Sequence, residues 1–132
     1  MRRLPGLLRQ HKYRIRCILW RSHQRWHLLE VTAADETRVA AGLAVDLGTS
    51  RVVLRLLDLA TGATLAESAF DNPQEKIGPD ILTRIHFAEK ENGLSELNER
   101  IVSGLNSAIA QLSESQHLEP RQIYALAVAG NT

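Results

Sequence analysis

The residues of this chain best placed to do chemistry stand together at Asp46-Leu47-Gly48-Thr49-Ser50. A short apolar run, Leu43-Ala44-Val45, delivers an acid to its tip. A glycine then turns the chain, and two hydroxyl residues follow. Gly48 has no Cβ, so the backbone there can approach a ligand closely. Consecutive backbone N–H groups in such a turn can hold an anion, and Thr49 and Ser50 add hydroxyl donors. Asp46 is suited to hold a hydrated Mg²⁺ through its waters, because Mg²⁺ gives them up reluctantly. Together these residues form a candidate phosphate site. The same residues also suit an ordinary tight hairpin, since Asp-x-Gly-Thr is a short and common pattern.

Other chemical constellations are weaker. His23 and His27 are four residues apart, but no acid or second cysteine stands near them to complete a zinc set. The serines have no His–acid partner set, so nucleophilic hydrolysis is not indicated. Cys17 is the single cysteine, which excludes an intramolecular disulfide and a cysteine-only zinc or iron–sulfur site within one chain. Asn72-Pro73-Gln74 reads as a loop. Asp80 and Arg84 are four apart and read as a helix ion pair. His86 is expected on the polar flank of its helix, and His117 near a helix C-terminus, where a cation is favourable.

The elements that must position the Asp46 segment follow from periodicity. Val52, Leu54 and Leu56 alternate with Val53, Arg55 and Leu57, so this strand is apolar on both faces and belongs inside a sheet. Thr61-Gly62 is a turn signal, and Thr64 to Phe70 reads as the next strand. Three strands joined by tight turns predict an antiparallel meander. Gly78-Pro79-Asp80 reads as a helix start, with Ile81, Leu82, Ile85 and Ala88 making one apolar face. Asn92-Gly93 ends that helix. Leu94, Leu97, Ile101, Leu105, Ile109 and Leu112 then recur at spacings of three and four, which predicts a long amphipathic helix. Ile123 to Ala129 reads as a buried strand returning parallel to an earlier one.

The 132 residues, with 44% hydrophobic and 23% charged, are those of a soluble globular chain with one domain of ordinary size. No run of eighteen apolar residues and no secretory h-region is present. A cytoplasmic location and no membrane association are therefore expected. The net charge of +1 hides an asymmetry: eight basic residues and no acid precede Glu30, whereas the remainder carries eight basic and fifteen acidic residues. Residues 1–41 are thus set apart as a basic N-terminal segment and linker, expected to lack regular structure beyond a faint strand at Tyr13, Ile15 and Cys17. With Trp20 and Trp26, this arm is also a candidate nucleic-acid contact, although no nucleic-acid-binding motif accompanies it.

Several of these motifs, taken in order, resemble a family. Asp46 to Ser50 is similar to the first phosphate motif of the actin-like (ASKHA) ATPases, the superfamily that also holds sugar kinases. Asp58-Leu59-Ala60-Thr61-Gly62, Asn72-Pro73-Gln74 with Gly78 and Asp80, Arg84-Ile85, Asn106 and Gly130-Asn131-Thr132 follow as in the reductive activators of corrinoid proteins. The resemblance covers residues 42–132. It implies an α/β fold, a partial ribonuclease H-like (actin-like ATPase) subdomain of order β-β-β-α-α-β with a mixed sheet. It implies ATP and Mg²⁺ as cofactors, with Asp46, Gly48, Thr49 and Ser50 at the phosphates. Asn72, Gln74, Asp80, Arg84, Gly130, Asn131 and Thr132 are implied to line the cleft.

The implied activity is ATP-driven electron transfer to the cobalt of a corrinoid protein or corrinoid methyltransferase subunit, restoring cobalt(I). Arg51 departs from the family's third threonine and reads as a solvated strand residue. The family's iron–sulfur domain and second phosphate motif are not matched here. The chain alone is therefore expected to be an inactive part of the ATPase domain, with its last strand an apolar edge prone to self-association. A sugar kinase and a small nucleic-acid-binding protein are the alternative readings.

Overall fold

The computed structural model describes residues 4–36 and 38–130. The chain divides into two compact units, one running to Ala40 and one beginning at Ala41.

The first unit is a short helix α1 (Leu4–Gln10) and a two-stranded antiparallel hairpin, β1 (Ile15–Ser22) with β2 (Arg25–Ala33). This corrects the expectation of an irregular basic arm. The faint alternation from Tyr13 to Cys17 does mark a strand. Its partner was hidden because the connecting pair, His23 and Gln24, both take positive φ (46° and 67°) without the glycine or asparagine that usually announces such a turn. A bulge between Ile18 and Leu19 breaks the two-residue period. Trp20 and Trp26 are exposed, and the Arg21 guanidinium lies 5.6 Å from the centre of the Trp26 ring.

The second unit has the expected β-β-β-α-α-β order and mixed sheet. Strands β3 (Ala41–Leu47), β4 (Arg51–Asp58) and β5 (Thr64–Asp71) form the antiparallel meander. β6 (Ile123–Gly130) runs parallel to β3, and the sheet order is β5-β4-β3-β6. Leu43 pairs with Leu56 and Val45 with Leu54, so these side chains share one face. Val52, Leu54 and Leu56 are fully buried, each worth about 1.5–3 kcal/mol in burial. The long helix α3 (Gly93–Ser115) covers that face with Ile101, Ala108 and Leu112, while Leu105 and Ile109 are half-buried against it. Leu94, expected in the same stripe, is exposed because it lies in the first turn, beyond the sheet.

Two further expectations are corrected. β6 is apolar but not buried. It sits at the sheet edge, as expected of the last strand, and Leu126 and Val128 are 62% and 57% exposed because α3 packs toward β4 and β5. The first α-helix of this unit, α2 (Ile81–Ala88), is inverted relative to its hydrophobic pattern. Ile81, Leu82 and Ile85 face outward, and the buried residue is Arg84.

The turn from Asp58 to Ala63 holds itself. The Asp58 carboxylate accepts from the Ala60 N–H, the Thr61 hydroxyl accepts from the Ala63 N–H, and Gly62 adopts a φ of 75°.

Candidate functional site

The loop between β3 and β4 is as tight as a hairpin allows. The Gly48 N–H donates to the Arg51 carbonyl at 3.1 Å, leaving Thr49 and Ser50 at the tip. A Cβ on Gly48 would stand 2.4 Å from that carbonyl oxygen. The glycine is therefore demanded by the turn itself, in addition to any ligand's approach. Asp46 lies two residues before it, its side chain exposed, on the sheet face opposite the core residues Val45 and Leu47.

Asn72 begins the bracing of this loop. It follows β5 directly and caps a 3-10 turn (Pro73–Lys76), its side chain accepting from the Gln74 N–H at 3.0 Å. The same side chain donates through Nδ2 to the Gly48 carbonyl at 2.9 Å, and the Asn72 N–H donates to the Ser50 carbonyl at 2.8 Å. Asn72 is 3% exposed.

Arg84 completes the brace from α2. Nη2 donates to the Thr49 carbonyl at 2.8 Å, Nε to the Gly78 carbonyl at 2.7 Å and Nη1 to the Gln74 side chain at 3.4 Å. Gln74 in turn donates to the Leu97 carbonyl at 3.0 Å, tying the assembly to α3. α2 can offer Arg84 inward because Asp80 fixes its start, the carboxylate accepting from both the N–H and the hydroxyl of Thr83. These bonds hold the Asp80 carboxyl below its ordinary pKa, the Thr83 N–H contributing most. Asp80 is thus a helix cap rather than the ion partner of Arg84. Among the described residues, no carboxylate lies within salt-bridge distance of the Arg84 guanidinium.

The carbonyls of Gly48, Thr49 and Ser50 are therefore all taken from behind. Peptide bonds among the described residues are trans, and in a trans peptide the N–H of the next residue points opposite to the carbonyl. The N–H groups of Thr49 and Ser50 accordingly point away from Asn72 and Arg84, and neither donates within the described chain. Two adjacent free donors at a rigid tip, with an exposed carboxylate beside them, can hold an oxyanion together with a hydrated cation.

Of the residues expected around this site, Asp46, Gly48, Thr49, Ser50 and Gly130 share one end of the sheet; Gly130 pairs with Leu47 where β3 and β6 finish. Open α/β sheets bind ligands at the carboxyl ends of their parallel strands. Asn72, Gln74 and Arg84 are close to the loop, and their side-chain donors are turned to the backbone carbonyls of Gly48, Leu97 and Thr49. Arg51 and Asn106 are exposed. Asn131 and Thr132 lie outside the described residues. The bracing role of Asn72 and Arg84 was missed in the sequence. Its one visible sign is a lone arginine on the helix that otherwise offers Ile81, Leu82 and Ile85.

No group of three or more metal-ligating side chains occurs among the described residues, and no helix there is long and apolar enough to cross a membrane.

Comparison with known proteins gives a consistent result. The family described as "RACo middle region" matches residues 41–132. Over 103 residues the chain is 32% identical to the "Corrinoid activation enzyme RamQ" of Eubacterium limosum, covering 77% of this chain and 17% of that protein. Among solved structures, one titled "Reductive activator for corrinoid,iron-sulfur protein" superposes with a TM-score of 0.84 at 30% identity. That match covers 98% of this chain and 21% of the other. The chain thus spans about a fifth of the length of these relatives.

Proposed function

The chain belongs to the family of the RACo middle region, and from that premise we propose that it supplies the phosphate-holding part of an ATP-dependent reductive activator of a corrinoid protein. The observation that carries this reading is the loop from Gly48 to Ser50, whose carbonyls all accept hydrogen bonds from behind while the Thr49 and Ser50 N–H groups donate to none of the described residues. The relatives' names favour this task over a sugar kinase or a nucleic-acid-binding protein.

The residues present fit ATP with Mg²⁺. Two free N–H groups suit phosphate oxygens, Gly48 presents no side chain, and the exposed Asp46 carboxylate is a hard oxygen acceptor. Bound there, ATP would supply the energy for uphill electron transfer to cobalt, giving cobalt(I). In this reading the Thr49 and Ser50 N–H groups and hydroxyls hold the phosphate end. Asp46 would hold a hydrated Mg²⁺ there through its waters. Cys17 is the single cysteine, so an iron–sulfur cluster held only by cysteine thiolates of one chain needs ligands beyond this sequence. The partner is a corrinoid protein or a corrinoid methyltransferase subunit, met in the cytoplasm.

The test is an exchange. Residues 41–132 replace the corresponding segment of RamQ, and ATP-dependent appearance of the cobalt(I) spectrum is followed with an electron donor and the corrinoid partner supplied. Activity near that of unmodified RamQ supports the reading. A folded chimera that neither binds Mg·ATP nor reduces cobalt counts against it.

A further inference from the structure

Arg84 presents an unusual electrostatic situation. It is 8% exposed, and among the described residues its guanidinium is met by three neutral oxygens: the Gly78 and Thr49 carbonyls and the Gln74 side chain. A buried cation without an opposing charge is costly. It is retained here directly behind a loop whose free donors face the other way. An anion on the far side of the Thr49–Ser50 tip would supply the missing negative charge. Meanwhile the guanidinium's planar fork fixes the Thr49 peptide, as Asn72 fixes the Gly48 peptide on one flank and donates its own N–H to the Ser50 carbonyl on the other.

We propose that Arg84 and Asn72 are positioning residues for the phosphate loop, Arg84 serving also as a fixed positive charge behind it that favours an anion at the tip. This rests on the phosphate reading given above. Neither residue touches the phosphate. Arg84 acts through the Thr49 carbonyl, polarising that peptide so that its Ser50 N–H becomes the better donor. A lysine in its place keeps the charge but has no planar fork with which to engage the Thr49 and Gly78 carbonyls together.

The experiment titrates the ¹⁵N-labelled full chain with Mg·pyrophosphate and follows the Thr49 and Ser50 amide resonances, together with their backbone order parameters in the free state. The wild type should give saturable shifts centred on these two amides. Arg84→Gln should weaken binding by about tenfold or more, the scale of a lost charge-assisted interaction. Arg84→Lys should fall between the two and lower the order parameters at Thr49 and Ser50. Leu112→Val, in the core fifteen residues along α3 from Leu97, should lower stability but leave pyrophosphate affinity unchanged, separating positioning from general loosening. If Arg84→Gln does not fold, Arg84→Lys and Asn72→Ser carry the comparison. Folded variants that bind as tightly as the wild type, with an equally ordered tip, overturn the proposal while leaving the phosphate reading intact. A wild-type chain whose tip amides ignore pyrophosphate overturns that reading, and this one with it.

Discussion

The side-chain amide of Asn72 donates to the carbonyl of Gly48 across 24 positions of sequence, at 2.9 Å. With the Asn72 N–H on the Ser50 carbonyl, this makes the end of β5 and the β3–β4 loop a single hydrogen-bonded unit.

Asn72→Asp should be more damaging than Asn72→Ser. Aspartate keeps an acceptor for the Gln74 N–H but turns a second, charged acceptor toward the Gly48 carbonyl in a site only 3% exposed. Unfolding in urea should report a loss of about 2 kcal/mol or more for aspartate, and about 1 kcal/mol less for serine. Equal stabilities would mean that the Gly48 contact carries no weight.

Gly48→Ala should destabilise the chain without any ligand, because its Cβ would meet the Arg51 carbonyl oxygen at 2.4 Å. A cost of about 1–3 kcal/mol is expected, on the scale of overpacking. An alanine variant of wild-type stability that merely loses phosphate affinity would instead place the constraint in the ligand's approach.

Asp46→Asn should behave in the opposite way. Its side chain is exposed, so stability should change by less than about 0.5 kcal/mol. In the RamQ chimera, the loss of a full charge beside the metal should cost several kcal/mol of transition-state stabilisation. It would be read as a fall in the rate of cobalt(I) formation. An unaltered rate would make Asp46 a turn residue only.

The Asp80 carboxyl is held below its ordinary pKa by the Thr83 N–H and hydroxyl. A group depressed on folding contributes stability that is present above its unfolded pKa and is lost as pH falls through the folded value. Urea midpoints of the wild type should therefore drop on acidification below the usual carboxylate range. Asp80→Asn keeps a capping acceptor and should flatten that part of the profile. Parallel pH profiles for the two proteins would remove Asp80 from the acid response.

Leu126→Lys and Val128→Lys should leave stability within about 0.5 kcal/mol, since both side chains are more than half exposed on an edge strand. Edge lysines discourage strand-to-strand association, so sedimentation should show less self-association than in the wild type. A large loss of stability would mean that β6 is packed more deeply than its exposure indicates.

What could be read directly from the sequence was whatever depends on neighbours in the chain. The strand leading to Asp46, the doubly apolar β4, the Asp58–Gly62 turn, the Asp80 helix start and the Leu97–Leu112 stripe are all set by local periodicity, capping and turn chemistry. The motif order from Asp46 to Thr132 carried the family with it. Tertiary structure decided the rest. Arg84 turns inward against the pattern of Ile81, Leu82 and Ile85 because its donors find the carbonyls of Gly78 and Thr49, the latter 35 positions away. Asn72 becomes a brace instead of a loop residue for the same reason. Hydrophobic periodicity registers which side of a helix is apolar. It carries no record of backbone carbonyls that need a donor, because those carbonyls belong to every residue alike and are brought near only when the sheet has formed.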